Sequence, residues 1–429
     1  MSLESLLTDE KEQASIRERA KIIIESLEVE ASSESRVFLN ADDHQYGDHE
    51  KKKDHSYKSW IRGTDQHPDS DYTPSPRCKF FDQHGFLFIK AFATHQEILD
   101  MKQQMQSLVD QQWHPDSDSS SSSSSTDKQQ RKHKLIAFRT DEKQIENQGS
   151  DDYFLQSANK VHFFAEPHAM TTSQTLKEIY KHDKIKALNK AGHGMHLQPG
   201  PFHTYSTSEK ISSLTKELGW EDPVIPQSMY IFKPPGIGGQ VTSHQDSTFL
   251  YTTPKQSCLG LWLALDDATI TNGCLWVRPG SHGEPTRVKF ARNPKHFGAS
   301  IEERSHVPRG DPSESQMVFI DEEKEKIGPK GNDVDIDIDV DWVGKIPQLT
   351  GCETAWDSLF AAGFVPVECK AGDLVVFPGE LDHLSLANVS ECQRHTFQLH
   401  LVEGDRAGVT WADTNWLQYP KGAPFLSIK

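Results

Sequence analysis

Long apolar runs are missing from this 429-residue chain. No stretch approaches the ~18 consecutive apolar residues that a membrane-crossing helix needs, so no membrane partner is expected. Paired cysteines are missing too. Cys78, Cys258, Cys274, Cys352, Cys369 and Cys392 form no C-x-x-C motif, which excludes a zinc ribbon or a redox dithiol. Basic residues are in short supply: 46 Lys and Arg face 63 Asp and Glu, a formal net charge of -17. Phosphate backbones are bound by clustered cations, so no nucleic-acid partner is expected. The N-terminus has no hydrophobic signal core, and Glu4, Asp9, Glu10 and Glu12 argue against a transit peptide. The final Ser427-Ile428-Lys429 is not the usual peroxisomal tripeptide. Together these absences lead us to expect a monomer in the reducing cytoplasm.

What is present divides the chain. With 35% hydrophobic residues it is more polar than a compact domain usually is, and part of it should be loop or disorder. Residues 1–76 read as an N-terminal extension. Ile16, Ala20, Ile23, Ile24 and Leu27 recur at helical spacing, and 31–76 is a polar linker ending in Tyr72-Thr73-Pro74-Ser75-Pro76. The ordered domain, 77–429, opens with a strand near Gly85–Ile89. A helix follows with Ile98, Met101, Met105 and Leu108 on one face. Insertions are expected near 114–132, around the run Ser119–Ser125, and near 284–355, where Asp333, Asp335, Asp337, Asp339 and Asp341 alternate with apolar residues. That acidic stretch lacks the sharp-turn Gly and closing Glu of a calcium loop, so a solvated insertion or edge strand is expected. From residue 227 the segments Ser228–Phe232, Leu259–Leu265, Cys274–Val277, Leu374–Phe377 and Arg394–Val402 are short, β-branched or aromatic, and bounded by Gly and Pro. Many short strands after a helical half predict an α+β chain, with helices flanking a double-stranded β-helix of jelly-roll or cupin type.

Such barrels can hold Fe(II) on two histidines and one carboxylate, leaving three coordination positions open. The sequence form is His-x-Asp on a strand, because side chains at i and i+2 leave one face, followed by a distant His. The chain has 21 histidines, so the spacing alone decides nothing. Of three His-x-Asp pairs, His67/Asp69 and His114/Asp116 carry a central Pro in polar, low-complexity sequence, where no strand could hold a rigid site. Of two His-x-Glu pairs, His95/Glu97 opens a helix, where i and i+2 diverge, and His282/Glu284 follows the turn Pro279-Gly280-Ser281. Only His244/Asp246 has strand-like flanks. His383, after Leu374–Phe377 and the turn Pro378-Gly379, supplies the third ligand. Arg394, eleven residues later, opens a strand on which Arg394, Thr396, Gln398 and His400 face one way. A guanidinium there can grip a carboxylate in a polar barrel interior.

The segments Ser228-Met229-Tyr230-Ile231-Phe232-Lys233, His244–Tyr251, Gly260-Leu261-Trp262, Asn272–Trp276 and Pro279-Gly280-Ser281-His282 resemble the phytanoyl-CoA dioxygenase family, closest to its domain-containing-protein branch. The distal set His383, Ser385, Asn388, Ser390 and Arg394 keeps the family's spacing, and further traces are Asp152–Leu155, Asn189-Lys190-x-Gly192-His193 and Asn415–Gln418. The resemblance runs from about residue 79 to the C-terminus and does not cover 1–76, the serine run or most of 284–355. It implies that Arg394 and Ser385 bind the distal carboxylate of 2-oxoglutarate, and that Lys190, Met229 and Trp262 line the pocket. By residue type alone, Lys190 would be an exposed helix lysine, and Met229 and Trp262 would serve equally well as core; Gln245 is not expected at the pocket, and His282 and His400 are expected to be structural.

The expected function is an Fe(II)- and 2-oxoglutarate-dependent dioxygenase that uses O2, hydroxylates a small-molecule or acyl substrate and releases succinate and CO2. The carboxylate of Asp246 favours hydroxylation over halogenation, because related halogenating enzymes carry a small residue there. Two other classes fit the same sequence: a 2-oxoglutarate and metal sensor without turnover, and an interaction scaffold using 1–76 and the acidic loop. Oxygen-dependent succinate release separates the first, and loss of a binding partner on deleting those segments identifies the second.

Overall fold

The computed structural model describes residues 75–115, 136, 152–298, 311, 313–321 and 352–429. The expected N-terminal helix, its linker up to residue 74, the serine run and the acidic loop lie outside the described residues; Ser75 and Pro76, read as the end of the linker, instead cap and open the first helix.

The body begins with α1 (Pro76–His84), capped by Ser75, whose hydroxyl accepts from the Cys78 amide. After β1 (Leu87–Ile89) comes α2 (His95–Gln112). Thr94 and Glu97 form a reciprocal capping box at its start. Ile98, Met101, Met105, Leu108 and Val109 are buried along one face. Each contributes about 1.5–3 kcal/mol of apolar transfer. Glu97 of the rejected His95/Glu97 pair is thus occupied by the cap and by an ion pair with Lys210.

The early half is less helical than the sequence suggests. The short α3 (Asp152–Leu155) leads into β2 (Val161–Ala165) and β3 (Leu188–His193), then α4 (Pro201–Ser206) and α5 (Glu209–Glu217). Strands follow: β4 (Pro223–Ile231), β5 (Val241–His244), β6 (Thr252–Thr253), β7 (Leu259–Ala264), β8 (Leu275–Val277) and β9 (Val288–Arg292). The remainder is α6 (Pro294–Phe297), β10 (Met317–Asp321), α7 (Cys352–Ala361), β11 (Val365–Val367), β12 (Leu374–Pro378), β13 (His383–Ser385), β14 (Thr396–Glu403), β15 (Thr410–Trp411) and β16 (Leu426–Ser427). Helical spacing is absent from Val161–Ala165 and Leu188–His193, and neither alternates cleanly, because their neighbours bury most of both faces.

Two antiparallel sheets enclose the site. The larger runs β1-β12-β7-β14-β4-β3-β2, with β16 added on β4; the smaller runs β11-β8-β13-β5. This is the expected α+β jelly roll, with the helices flanking it. β9 and β10, both within the stretch read as an insertion, pair with each other as a ribbon. No helix among the described residues is long and apolar enough to cross a membrane. Cys78, Cys258, Cys274, Cys369 and Cys392 are free thiols.

Candidate metal and cosubstrate site

Two of the proposed ligands face each other across a strand pair. His383 on β13 is in register with His244 on β5, so the backbone ladder sets their separation. Their ring centroids are 4.2 Å apart. Asp246 is not on the strand with His244: the chain leaves β5 and turns into a 3-10 segment, Asp246–Thr248, whose Ser247 amide donates to Gly379 O at 2.9 Å. Asp246 Oδ1 lies 3.5 Å from His244 Nε2 and 3.7 Å from His383 Nε2. Among the described residues, His244, Asp246 and His383 are the cluster able to hold a metal, with ligand atoms within 4.8 Å of one another.

Donor chemistry fits a divalent cation. His244 Nδ1 is 2.8 Å from Thr242 O and His383 Nδ1 is 3.0 Å from Leu381 O. A carbonyl only accepts, so each Nδ1 carries the proton and each Nε2 keeps its lone pair for a metal. Asp246 is oriented from behind. His400 Nε2 lies 3.1 Å from Asp246 Oδ2, which leaves Oδ1 toward the histidines. Burial would push the Asp246 carboxyl up, but His400, His383 and His244 hold it well below the usual carboxylate range. Burial also takes His383 down to about 4, aided by neighbouring His244, which favours the neutral ligand form. On β7, Gly260 makes room: a Cβ there would come 2.8 Å from Phe377 Cε2 and 3.2 Å from Asp246 Oδ2.

The three ligands open on a cavity that Arg394, Ser385, Trp262, Met229 and Lys190 also line. Arg394 is fully buried just before β14, and its guanidinium lies over the Trp262 ring, 5.3 Å from the centroid. Among the described residues its side chain makes one hydrogen bond, Nη1 to Thr396 Oγ1 at 3.3 Å, and Nε has no partner. A buried cation left so under-satisfied suits a site whose anion arrives with a ligand. Burial lowers its pKa to about 10. Lys190 is on β3 rather than on an exposed helix, with only 4% of its surface accessible. Its ammonium lies over Phe154 and Phe164 and 4.0 Å from Met229 Sδ.

Several lining residues escaped the sequence reading. Glu166 Oε1 accepts from Asn189 Nδ2 and the Gly239 amide, and burial raises its carboxyl to about 7. Lys233 Nζ donates to Ser385 Oγ at 2.8 Å and Gly239 O at 3.0 Å. An aromatic series leads away from the metal ligands: His244 to Phe249 (6.1 Å), Phe249 to Phe290 (5.7 Å) and Phe290 to Phe319 (5.1 Å). Phe290 and Phe319 stand on the β9–β10 ribbon, so that stretch walls the cavity. His400 had a signal, its place on the Arg394 face; Glu166 had none. Gln245 turns away from the cavity and bonds Glu380 O and the Arg287 amide, and His282 bonds Asp82 O.

Residues 81–396 match the family model described as phytanoyl-CoA dioxygenase. The chain is 35% identical over 342 residues to "Phytanoyl-CoA dioxygenase" of Arabidopsis thaliana, covering 80% of this chain and 92% of that protein. It is 33% identical over 350 residues to "Phytanoyl-CoA dioxygenase domain-containing protein 1" of Rattus norvegicus, covering 81% and 96%. Among solved structures, the non-heme alpha ketoglutarate dependent carbocyclase SnoK from nogalamycin biosynthesis is 13% identical with a TM-score of 0.41, covering 82% of this chain and 94% of that one.

Proposed function

The chain belongs to the phytanoyl-CoA dioxygenase family, and we propose that His244, Asp246 and His383 hold its iron while Arg394 and Ser385 grip the distal carboxylate of 2-oxoglutarate. It is a dioxygenase that uses Fe(II), 2-oxoglutarate and O2. The observation that carries the site assignment is the His244–Asp246–His383 cluster opening on the same cavity as a buried guanidinium without an anionic partner. When bound, the iron supplies O2 activation coupled to conversion of 2-oxoglutarate to succinate and CO2, with oxygen inserted into a substrate C–H bond.

The protein's own residues bind, orient and exclude water. His400 fixes the Asp246 carboxylate, and carbonyls 242 and 381 fix the histidine tautomers. Trp262 offers the Arg394 guanidinium a flat face and Met229 gives Lys190 a soft one. Phe249, Phe290 and Phe319, with Trp416, present an apolar wall to a small-molecule substrate, acyl or otherwise. That wall keeps water from the reacting centre. In this reading the site serves a monomer in the cytoplasm, and the intact Asp246 carboxylate favours hydroxylation over halogenation.

The test is succinate release from purified protein with Fe(II) and 2-oxoglutarate, run across a metabolite panel with and without O2. Oxygen-dependent succinate in the wild type, absent from Asp246→Ala, is the expected result. A protein that binds 2-oxoglutarate yet releases no succinate with any substrate would refute turnover at this site.

A further inference from the structure

Lys233 lies two residues past β4 and precedes Pro234-Pro235-Gly236, a position where a chain would ordinarily place a turn residue. Its φ is +36°, a left-handed value that costs a non-glycine residue roughly 1 kcal/mol or more. Space is reserved for its stem. A Cβ on Gly273 would fall 2.3 Å from Lys233 Cε, and one on Gly238 would fall 2.7 Å from Lys233 Cγ. Asn388 Nδ2 donates to the Lys233 carbonyl at 2.9 Å, so the Asn388-x-Ser390 motif has a physical role in pinning the backbone at this residue. Two glycines, a strained backbone and a dedicated amide therefore deliver one ammonium to one place.

That place lies between the Gly239 carbonyl, 3.0 Å from Nζ, and the hydroxyl of Ser385, 2.8 Å from it. An ammonium can only donate. By occupying a lone pair of Ser385 Oγ, it leaves the hydroxyl hydrogen free to donate to something else in the cavity. The charges are also unbalanced. Burial, and then the neighbouring Arg394 charge, hold the Lys233 ammonium well below the usual lysine range, and Glu166 opposes that shift. An arriving carboxylate would offset the repulsion between Lys233 and Arg394. A packing role alone would be met by methionine without desolvating a charge.

The geometry points to Lys233 as a positioning residue for the cosubstrate: acting through Ser385, it turns the hydroxyl toward the distal carboxylate and makes the pocket select a dicarboxylate. This rests on the reading of Arg394 and Ser385 as the carboxylate grip.

The experiment is calorimetric titration of the full chain loaded with Mn(II), without O2. The probes are 2-oxoglutarate and 2-oxopentanoate, which has the same carbon chain and no distal carboxylate. Lys233→Met should weaken 2-oxoglutarate by about 10–100-fold, as for loss of a charge-assisted hydrogen bond. It should leave 2-oxopentanoate and Mn(II) affinities within about threefold. Because the effect passes through Ser385, Lys233→Met combined with Ser385→Ala should be no more than about twofold worse than the weaker single variant. Unchanged 2-oxoglutarate affinity, equal losses for both probes, or multiplying losses in the double variant would each overturn the proposal. If Lys233→Met does not fold, Lys233→Leu, which likewise cannot donate to Ser385 Oγ, must show the same loss of preference. A wild type with no preference for 2-oxoglutarate over 2-oxopentanoate would instead overturn the carboxylate grip, and the proposal with it.

Discussion

Replacing Arg394 with methionine should push stability and cosubstrate affinity in opposite directions. Arg394 is 2% exposed, and among the described residues its guanidinium bonds only Thr396 Oγ1 and leaves Nε without a partner. Its pKa falls from 12.5 to about 10 because burial disfavours the charged form. At 1.36 kcal/mol per pKa unit, carrying that charge costs the free protein roughly 3 kcal/mol at neutral pH. The sign follows because a base whose folded pKa is depressed is charged in both states below about pH 10, and only the folded state bears the burial cost. Methionine keeps an apolar stem against Trp262 and removes the charge, while forfeiting about 0.5–2 kcal/mol of cation–π attraction. Arg394→Met should therefore stabilise the ligand-free protein by ~1–3 kcal/mol. The same change removes the partner of the incoming carboxylate and should weaken 2-oxoglutarate by ~2–4 kcal/mol, about 30- to 1,000-fold. Chemical denaturation of the metal-free protein reads the first effect, and 2-oxoglutarate titration of the Mn(II)-loaded protein reads the second. A destabilised variant that binds 2-oxoglutarate as the wild type does would show that Arg394 is a structural cation and would refute the reasoning.

Two further outcomes test other parts of the site. His400→Phe removes the donor 3.1 Å from Asp246 Oδ2 and should lower Fe(II) affinity by roughly 10–100-fold, measured by competition with a chelator. An affinity within twofold of the wild type would mean Asp246 needs no orienting partner. Glu380 is raised from 4.5 to about 8 by burial, so between those values the unfolded chain has lost a proton that the folded protein keeps. Stability must then fall as pH rises across that window, by roughly 3–5 kcal/mol for this group. Denaturant midpoints for wild type and Glu380→Gln at pH 5 and pH 8 check it; parallel pH dependences in the two proteins would exclude the effect.

Features with a local period were readable in the sequence. The α2 face and the alternation from Arg394 to His400 are both present in the fold, because each side chain's environment repeats with its own element. His244/Asp246 was picked out by its flanks, yet the expected shared strand gives way to a turn. The Asp246 carbonyl accepts from the Phe249 and Leu250 amides, a short-range bond that i, i+2 spacing cannot reveal. Lys190 lines the cavity as the resemblance implied, but its residue type gave no sign of this, because its burial comes from β2 and β4 on either side of β3 and not from any pattern in its own strand. Lys233 and Glu166 were invisible for a related reason. Their partners Ser385 and Gly239 lie 152 and 73 residues away, so no window of sequence contains the pair.

The register that sets His383 opposite His244 also grades the chain's tolerance for changes in length. One residue added within β5 or β13 would turn every following side chain of that strand to the opposite face and take a ligand out of the cavity. Residues added between β9 and β10 only lengthen a connection, since both members of that ladder keep their own count. Phe290 and Phe319 stand on those two strands. The wall that meets the substrate can thus be rebuilt by insertion or exchange, while the frame that holds the metal cannot shift by a single residue.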